Sequence, residues 1–142
     1  MNRSLKTIFK YIFLLLIGGI LYYFLECICR GYSHWTMILV GGVCFILIGL
    51  INEIFPKSIS ICTQAIISSI IITIVEFISG YILNIKLGLN IWDYSNKCLN
   101  FMGQICLQNS FYWLLLSIVG IILDDYLRWI IFKEDKPKYK LF

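Results

Sequence analysis

Charged residues make up only 14% of this 142-residue chain, against about 25% in a soluble domain. That shortfall excludes an ordinary soluble fold. Histidine occurs once, at His34, and none of the six cysteines forms a Cys-x-x-Cys pair. A zinc site of the usual spacing is therefore excluded, and neither a metal nor another cofactor is expected. No Gly-x-x-x-x-Gly-Lys-Ser/Thr loop occurs, so ATP is not bound by that route. No Ala-x-Ala-like site ends the first apolar run, which carries Glu26 near its end. With Arg3, Lys6 and Lys10 ahead of it, that run reads as a retained span and not a signal peptide.

What the chain has instead is apolar length. Hydrophobic residues are 60% of it, and the mean hydropathy is +0.85. A helix needs roughly 20 apolar residues to cross a hydrocarbon core. Four runs of about that length predict an all-α polytopic membrane protein with four transmembrane helices, over residues 8–28, 35–55, 59–83 and 103–123. The second stops at Pro56. Residues 1–132 form one transmembrane domain, and 133–142 a basic cytoplasmic tail that lies near anionic headgroups. The end of the fourth span, from Asp124 to Phe132, is expected to turn along the membrane surface.

Basic residues set the orientation. Arg3, Lys6, Lys10, Lys57, Arg128, Lys133, Lys136, Lys138 and Lys140 fall on one side, which is 9 of 12 Lys and Arg. Arg30, Lys86 and Lys97 fall on the other. Lys and Arg are retained on the cytoplasmic side during insertion. Both termini are thus expected in the cytoplasm, with the chain in the cell membrane. The lipid bilayer is the first partner, and nucleic acid is not among those expected.

Polar groups inside hydrocarbon are costly, so their positions carry information. Tyr22, Glu26 and Arg30 share one face of span one, and Glu26 can pair with Arg30. Ser69, Thr73, Glu76, Gly80 and Asn84 form a polar and small face on span three. At 1.5 Å per residue, Glu76 lies about 25 Å along that span, in its outer half. Gly103, Cys106, Ser110, Trp113, Ser117, Gly120 and Asp124 make a small-residue stripe on span four. With Gly41, Gly42 and Gly49 of span two, it suits close helix packing. Packing accounts less easily for Glu26, Arg30, His34, Glu76, Asp93, Gln104 and Gln108. These seven are the candidate substrate-binding or polar-cavity residues, weighed against a purely structural Glu26–Arg30 pair. The cysteines read first as packing residues. Cys27, Cys29, Cys98 and Cys106 fall toward one face, where a disulfide requires an oxidising compartment.

A weak repeat is visible. Glu26, Gly31, Trp35 and Gly41-Gly42-Val43-Cys44 are echoed by Glu76, Gly80, Trp92 and Gly103-Gln104-Ile105-Cys106. It suggests two parallel helical hairpins. The longer second loop, with Ile91-Trp92-Asp93-Tyr94-Ser95, is placed to cover the outer mouth.

The chain resembles the CmpB-like family, described as ABC-transporter permeases of type IV, and is similar to transmembrane-229 proteins. The matching stretches include Leu21-Tyr22 with Glu26, Arg30-Gly31-Tyr32-Ser33-His34-Trp35, Gly49-Leu50-Ile51-Asn52-Glu53, Glu76-Phe77, Trp92-Asp93-Tyr94-Ser95 and Gly103-Gln104-Ile105-Cys106-Leu107. One departure stands at Lys97-Cys98, where a proline is expected before Asn100. The resemblance implies a permease-like subunit with a separate ATPase, in a homo-oligomer or hetero-complex. Two other readings stand beside it. One is a membrane-embedded enzyme acting on a lipid headgroup, with Glu26, Glu76 and Asp93 as acid and base, His34 as proton shuttle and Arg30 as anion clamp. The other is a non-catalytic membrane subunit of a larger complex.

Overall fold

A computed structural model describes residues 2–55 and 59–142. The expected stop at Pro56 and the loop around Lys57 lie outside the described residues. The elements are four helices, α1 (Arg3–Arg30), α2 (Thr36–Ile54), α3 (Ile61–Gly80) and α4 (Leu107–Phe132). A π-helical turn, Tyr81–Lys86, extends α3, and a two-residue ribbon, β1 (Asn100–Phe101) and β2 (Ile105–Cys106), precedes α4. Successive helices run antiparallel. Lys10 near the start of α1 bonds Glu134 just beyond α4 at 2.8 Å, so both termini lie at one end of the bundle. The loop of residues 87–106 caps the other.

Among the described residues, three helices are long and apolar enough to cross a membrane: Arg3–Arg30, Thr36–Ile54 and Ile61–Lys86. α4 matches them in length, at 26 residues, but carries Gln108, Asn109, Ser110, Asp124, Asp125 and Arg128. The first helix exceeds its expected span at both ends, and the third, with its π-helical turn, starts at Ile61 and runs on to Lys86. The fourth starts later than residue 103, because Met102 and Gly103 both take positive φ, at 53° and 70°. These two residues turn the chain between β1 and β2, and the Gln104 amide donates to the Phe101 carbonyl at 3.0 Å to close the turn. Positive φ at both central residues is the geometry that matches strand twist in a tight hairpin.

Glycine determines the tightest helix pair. An added Cβ at Gly19 would lie 2.0 Å from the Ile38 carbonyl oxygen, and one at Gly42 would lie 2.4 Å from that of Leu15. The α1 and α2 backbones therefore touch directly, as small residues permit where lipid supplies no hydrophobic drive between helices. α3 pairs with α4 through its polar face. The Ser69 hydroxyl donates to the Ser110 carbonyl at 2.6 Å, and Thr73 meets the Ser110 hydroxyl at 2.9 Å. Leu14, Phe45, Ile48, Ile72 and Ile121 fill the centre. α1 meets α4 mainly through rings, with Phe9 and Phe13 against Phe132 at the terminal end and Tyr22 against Trp113 toward the other.

Residues 124–132 do not turn along a surface. They continue α4 as regular helix, with Asp124 fully buried and Arg128 only 4% exposed. The reason is charge satisfaction. The Arg128 Nε donates to Asp124 at 2.7 Å, and its Nη1 donates to Glu53 of α2. Asn52 donates to Asp125 at 2.7 Å. A buried ion pair with added hydrogen bonds offsets much of the cost of taking these groups out of water. The tail returns across this end, where the Lys140 carbonyl accepts from the Ile61 amide at 2.8 Å.

Candidate functional site

Two helices deliver carboxylates to one cavity. Glu26 comes from the last turns of α1, Glu76 from α3, and both are buried, at 8% and 7% exposed. They line a cavity of about 290 Å³ together with Tyr22, Cys44, Trp92, Tyr94 and Trp113. That size sits at the lower bound of ligand pockets, roughly 300 Å³. Its deeper wall is apolar, formed by Phe45, Ile48, Ile72, Leu116 and Leu123. A second, shallower cleft of about 820 Å³ adjoins it between α1, α4 and the loop, and shares Tyr22, Glu26, Trp92, Tyr94 and Trp113.

The two acids are held differently. Glu26 is neutralised: the Arg30 Nη1 donates to its Oε1 at 2.5 Å, and the Ser33 hydroxyl to its Oε2 at 2.5 Å. Glu76 receives only neutral donors. The Tyr94 hydroxyl donates to Oε1 at 3.0 Å and the Trp113 indole N–H to Oε2 at 3.0 Å. Among the described residues no cation pairs with it. Burial, and then the Glu76 carboxylate, push the Tyr94 hydroxyl well above the ordinary tyrosine range, so it remains a donor.

The loop is clamped over this cavity by a chain of bonds. The Asn84 amide nitrogen donates to Gln104 Oε1 at 2.9 Å, and Asn84 Oδ1 accepts from the Ile91 amide at 2.7 Å. The Trp92 indole donates to the Gln104 carbonyl at 3.0 Å. The Tyr94 amide donates to the Gly103 carbonyl at 2.7 Å. The π-helical turn at the end of α3 shifts the register, and Asn84 is buried there. Such turns are frequent at functional sites. Arg30 Nη2 fastens the same loop from the α1 side, donating to the Ile91 carbonyl at 2.8 Å and to the Tyr32 hydroxyl at 3.1 Å.

The seven residues singled out by sequence thus divide. Glu26, Glu76 and Arg30 line the cavity or its adjoining cleft. Gln104 is 5% exposed and acts as a bracket for the loop. Asp93 lines the shallow cleft, but its Oδ1 is engaged by the Ser95 hydroxyl and amide. Those two bonds hold its carboxyl below the usual range. His34 lines neither the cavity nor the cleft; just before α2, its Nδ1 meets the Thr36 hydroxyl at 2.8 Å. Gln108 is exposed and bonds the Tyr112 hydroxyl at 2.9 Å. Sequence reasoning did not assign Tyr94, Trp92 and Trp113 to the site. Their signal was present, since each lies in or beside a stretch already marked as polar or small. All six cysteines are free. The Gly-x-x-Cys echoes differ in conformation, helical at Gly41–Cys44 and a hairpin at Gly103–Cys106.

Residues 9–131 match the family described as "Putative ABC-transporter type IV". The chain belongs to this family. No curated protein and no solved structure matches it. The family match and the apolar helices together make this a membrane protein. The match extends across both carboxylates, the capping loop and the buried Asp124–Arg128 pair, so the cavity lies wholly inside the family region.

Proposed function

We propose that the chain is a permease-like transport subunit of four spans, with its working site in the outer half of the bundle. The reading rests on one observation: Glu26 and Glu76, from two different helices, share a cavity that continues into an open cleft between α1 and α4. α4 serves as the fourth span because its charged residues are consumed in pairs at the terminal end. Both termini are cytoplasmic, in keeping with the distribution of lysine and arginine. The loop of residues 87–106 then faces outward and caps the mouth. Energy comes from a separate ATPase subunit, since the chain has no phosphate-binding loop of its own.

The alternative of acid–base chemistry on a lipid headgroup is less favoured. Arg30 is committed to Glu26, Tyr32 and the Ile91 carbonyl, and His34 lines neither the cavity nor the cleft. The transport reading is tested by purifying the tagged chain from native membranes and reconstituting the complex in vesicles. Co-purification of an ATPase and ATP-dependent solute flux that falls in a Glu76→Gln variant are expected. An unaccompanied chain with no flux would overturn it.

A further inference from the structure

The chemistry of the cavity specifies what it can hold. Its head carries a buried carboxylate, Glu76, that among the described residues has no cationic partner. A carboxylate offers about four acceptor sites, and Glu76 meets three donors, all neutral: Tyr94 and Trp113 and the Asn109 side chain. Four aromatic residues, Tyr22, Trp92, Tyr94 and Trp113, line the same space. The Tyr22 and Trp113 rings lie 5.8 Å apart, centre to centre. Aromatic faces beside a carboxylate attract ammonium cations, and desolvation strengthens the attraction. An anion is disfavoured at this head, because the arginine at the mouth is already neutralised by Glu26 and Lys97 lines only the adjoining cleft, not the cavity that holds Glu76.

The wall specifies the rest of the ligand. Below the head the lining is apolar, and the cleft opens sideways between α1 and α4. Leu21, Leu115 and Val119, at 47%, 52% and 61% exposed, flank that opening. In a bilayer such a doorway meets acyl chains and not water. A soluble cation has no use for it, whereas an alkyl chain enters it directly.

We propose that the α1–α4 cleft takes an amphiphile with an ammonium head and a single alkyl tail. The cation is seated against Glu76 among Tyr22, Trp92, Tyr94 and Trp113. This inference rests on the transport reading above and gives it a substrate class. The shared chemistry, an ammonium on an alkyl chain, occurs both in zwitterionic membrane lipids and in free cationic amphiphiles.

The test uses the full chain in uncharged maltoside micelles, read by quenching of tryptophan fluorescence with brominated tails. Brominated dodecyltrimethylammonium and brominated lysophosphatidylcholine should quench saturably, while dodecyl sulfate with the same tail should not. Glu76→Gln should raise the half-saturating concentration about tenfold, the loss of a single interaction of ~1.4 kcal/mol. Tighter binding of the lysolipid assigns a membrane lipid, and tighter binding of the trimethylammonium assigns a free organic cation. Equal saturable quenching by the sulfate overturns the proposal on the wild-type chain alone. So does an unmoved titration in a Glu76→Gln variant that melts like the wild type. Failure here with ATP-dependent flux of another solute intact removes only the ligand class. Binding without any ATPase partner removes only the transport reading.

Discussion

Trp113 on α4 donates its indole N–H to Glu76 on α3 at 3.0 Å, so the helix that closes the cavity is tied to the carboxylate at its head. The bond has a consequence for mutants. A hydrogen bond to a charged group contributes about 1.5–3 kcal/mol. Trp113→Phe keeps the ring and loses only the donor. Its flux should fall roughly tenfold, at ~1.4 kcal/mol per decade, with folding retained. Vesicle flux and a melting curve in detergent, measured side by side, check this. A loss of folded protein without a change in specific flux would make the bond purely structural.

The backbone contact between α1 and α2 predicts a different kind of defect. Gly42→Ala puts a methyl group 2.4 Å from the Leu15 carbonyl oxygen, where only a shift of one helix makes room. Overpacking of this kind costs about 1–3 kcal/mol. Ile28→Ala, at a position 82% exposed, should cost far less. Equilibrium unfolding in mixed micelles compares the two, and similar midpoints would contradict the close-approach account.

These two cases show how far the sequence carries. The apolar runs make α1, α2 and α3 legible, and the four-residue spacing of Glu26 and Arg30 foreshadows their pair. The polar face from Ser69 to Asn84 is legible as a face. Its target is not, because Ser110, Trp113 and Gln104 lie 20 or more positions away. The capping loop is opaque for a similar reason: it is built from positive φ at Asn90, Leu99 and Met102, which residue type alone does not announce. The reading of residues 124–132 as a surface segment had a physical cause. Aspartate and arginine normally signal water, and the partner that buries Arg128 is Glu53, 75 positions earlier.

The tail should respond to alkali. The Tyr139 hydroxyl donates to Asp125 at 2.8 Å, and burial followed by that bond raises its pKa above the free value. A raised folded pKa gives stability that is complete below the unfolded pKa, about 10, and is lost as pH rises through the folded one. Tail docking should therefore hold at neutral pH and loosen only above about pH 10. Hydrogen exchange of residues 136–142 reports it. In Tyr139→Phe the tail should exchange faster at pH 7 and lose the alkaline step. A step that survives the substitution would assign the titration to another group.

The buried pair at the terminal end offers the sharpest energetic test. Arg128 is 4% exposed and Asp124 fully buried, and each partly satisfies the other at 2.7 Å. Asp124 Oδ1 and Arg128 Nη2 lack hydrogen-bond partners, so the pair is incompletely repaid for leaving solvent. Removing one partner strands the other charge, which typically costs about 3–5 kcal/mol. Arg128→Met should therefore destabilise strongly. Removing both, as Asp124→Leu with Arg128→Met, should recover most of that loss, because apolar replacements of buried pairs are often neutral. Glu53 loses Arg128 in both variants but keeps Lys10 at 3.6 Å and the Tyr11 hydroxyl at 3.2 Å, and at 40% exposed it also reaches water. A double-mutant cycle of unfolding free energies in detergent measures the coupling. Additive losses, with the double variant worse than either single one, would mean that the two side chains do not depend on each other.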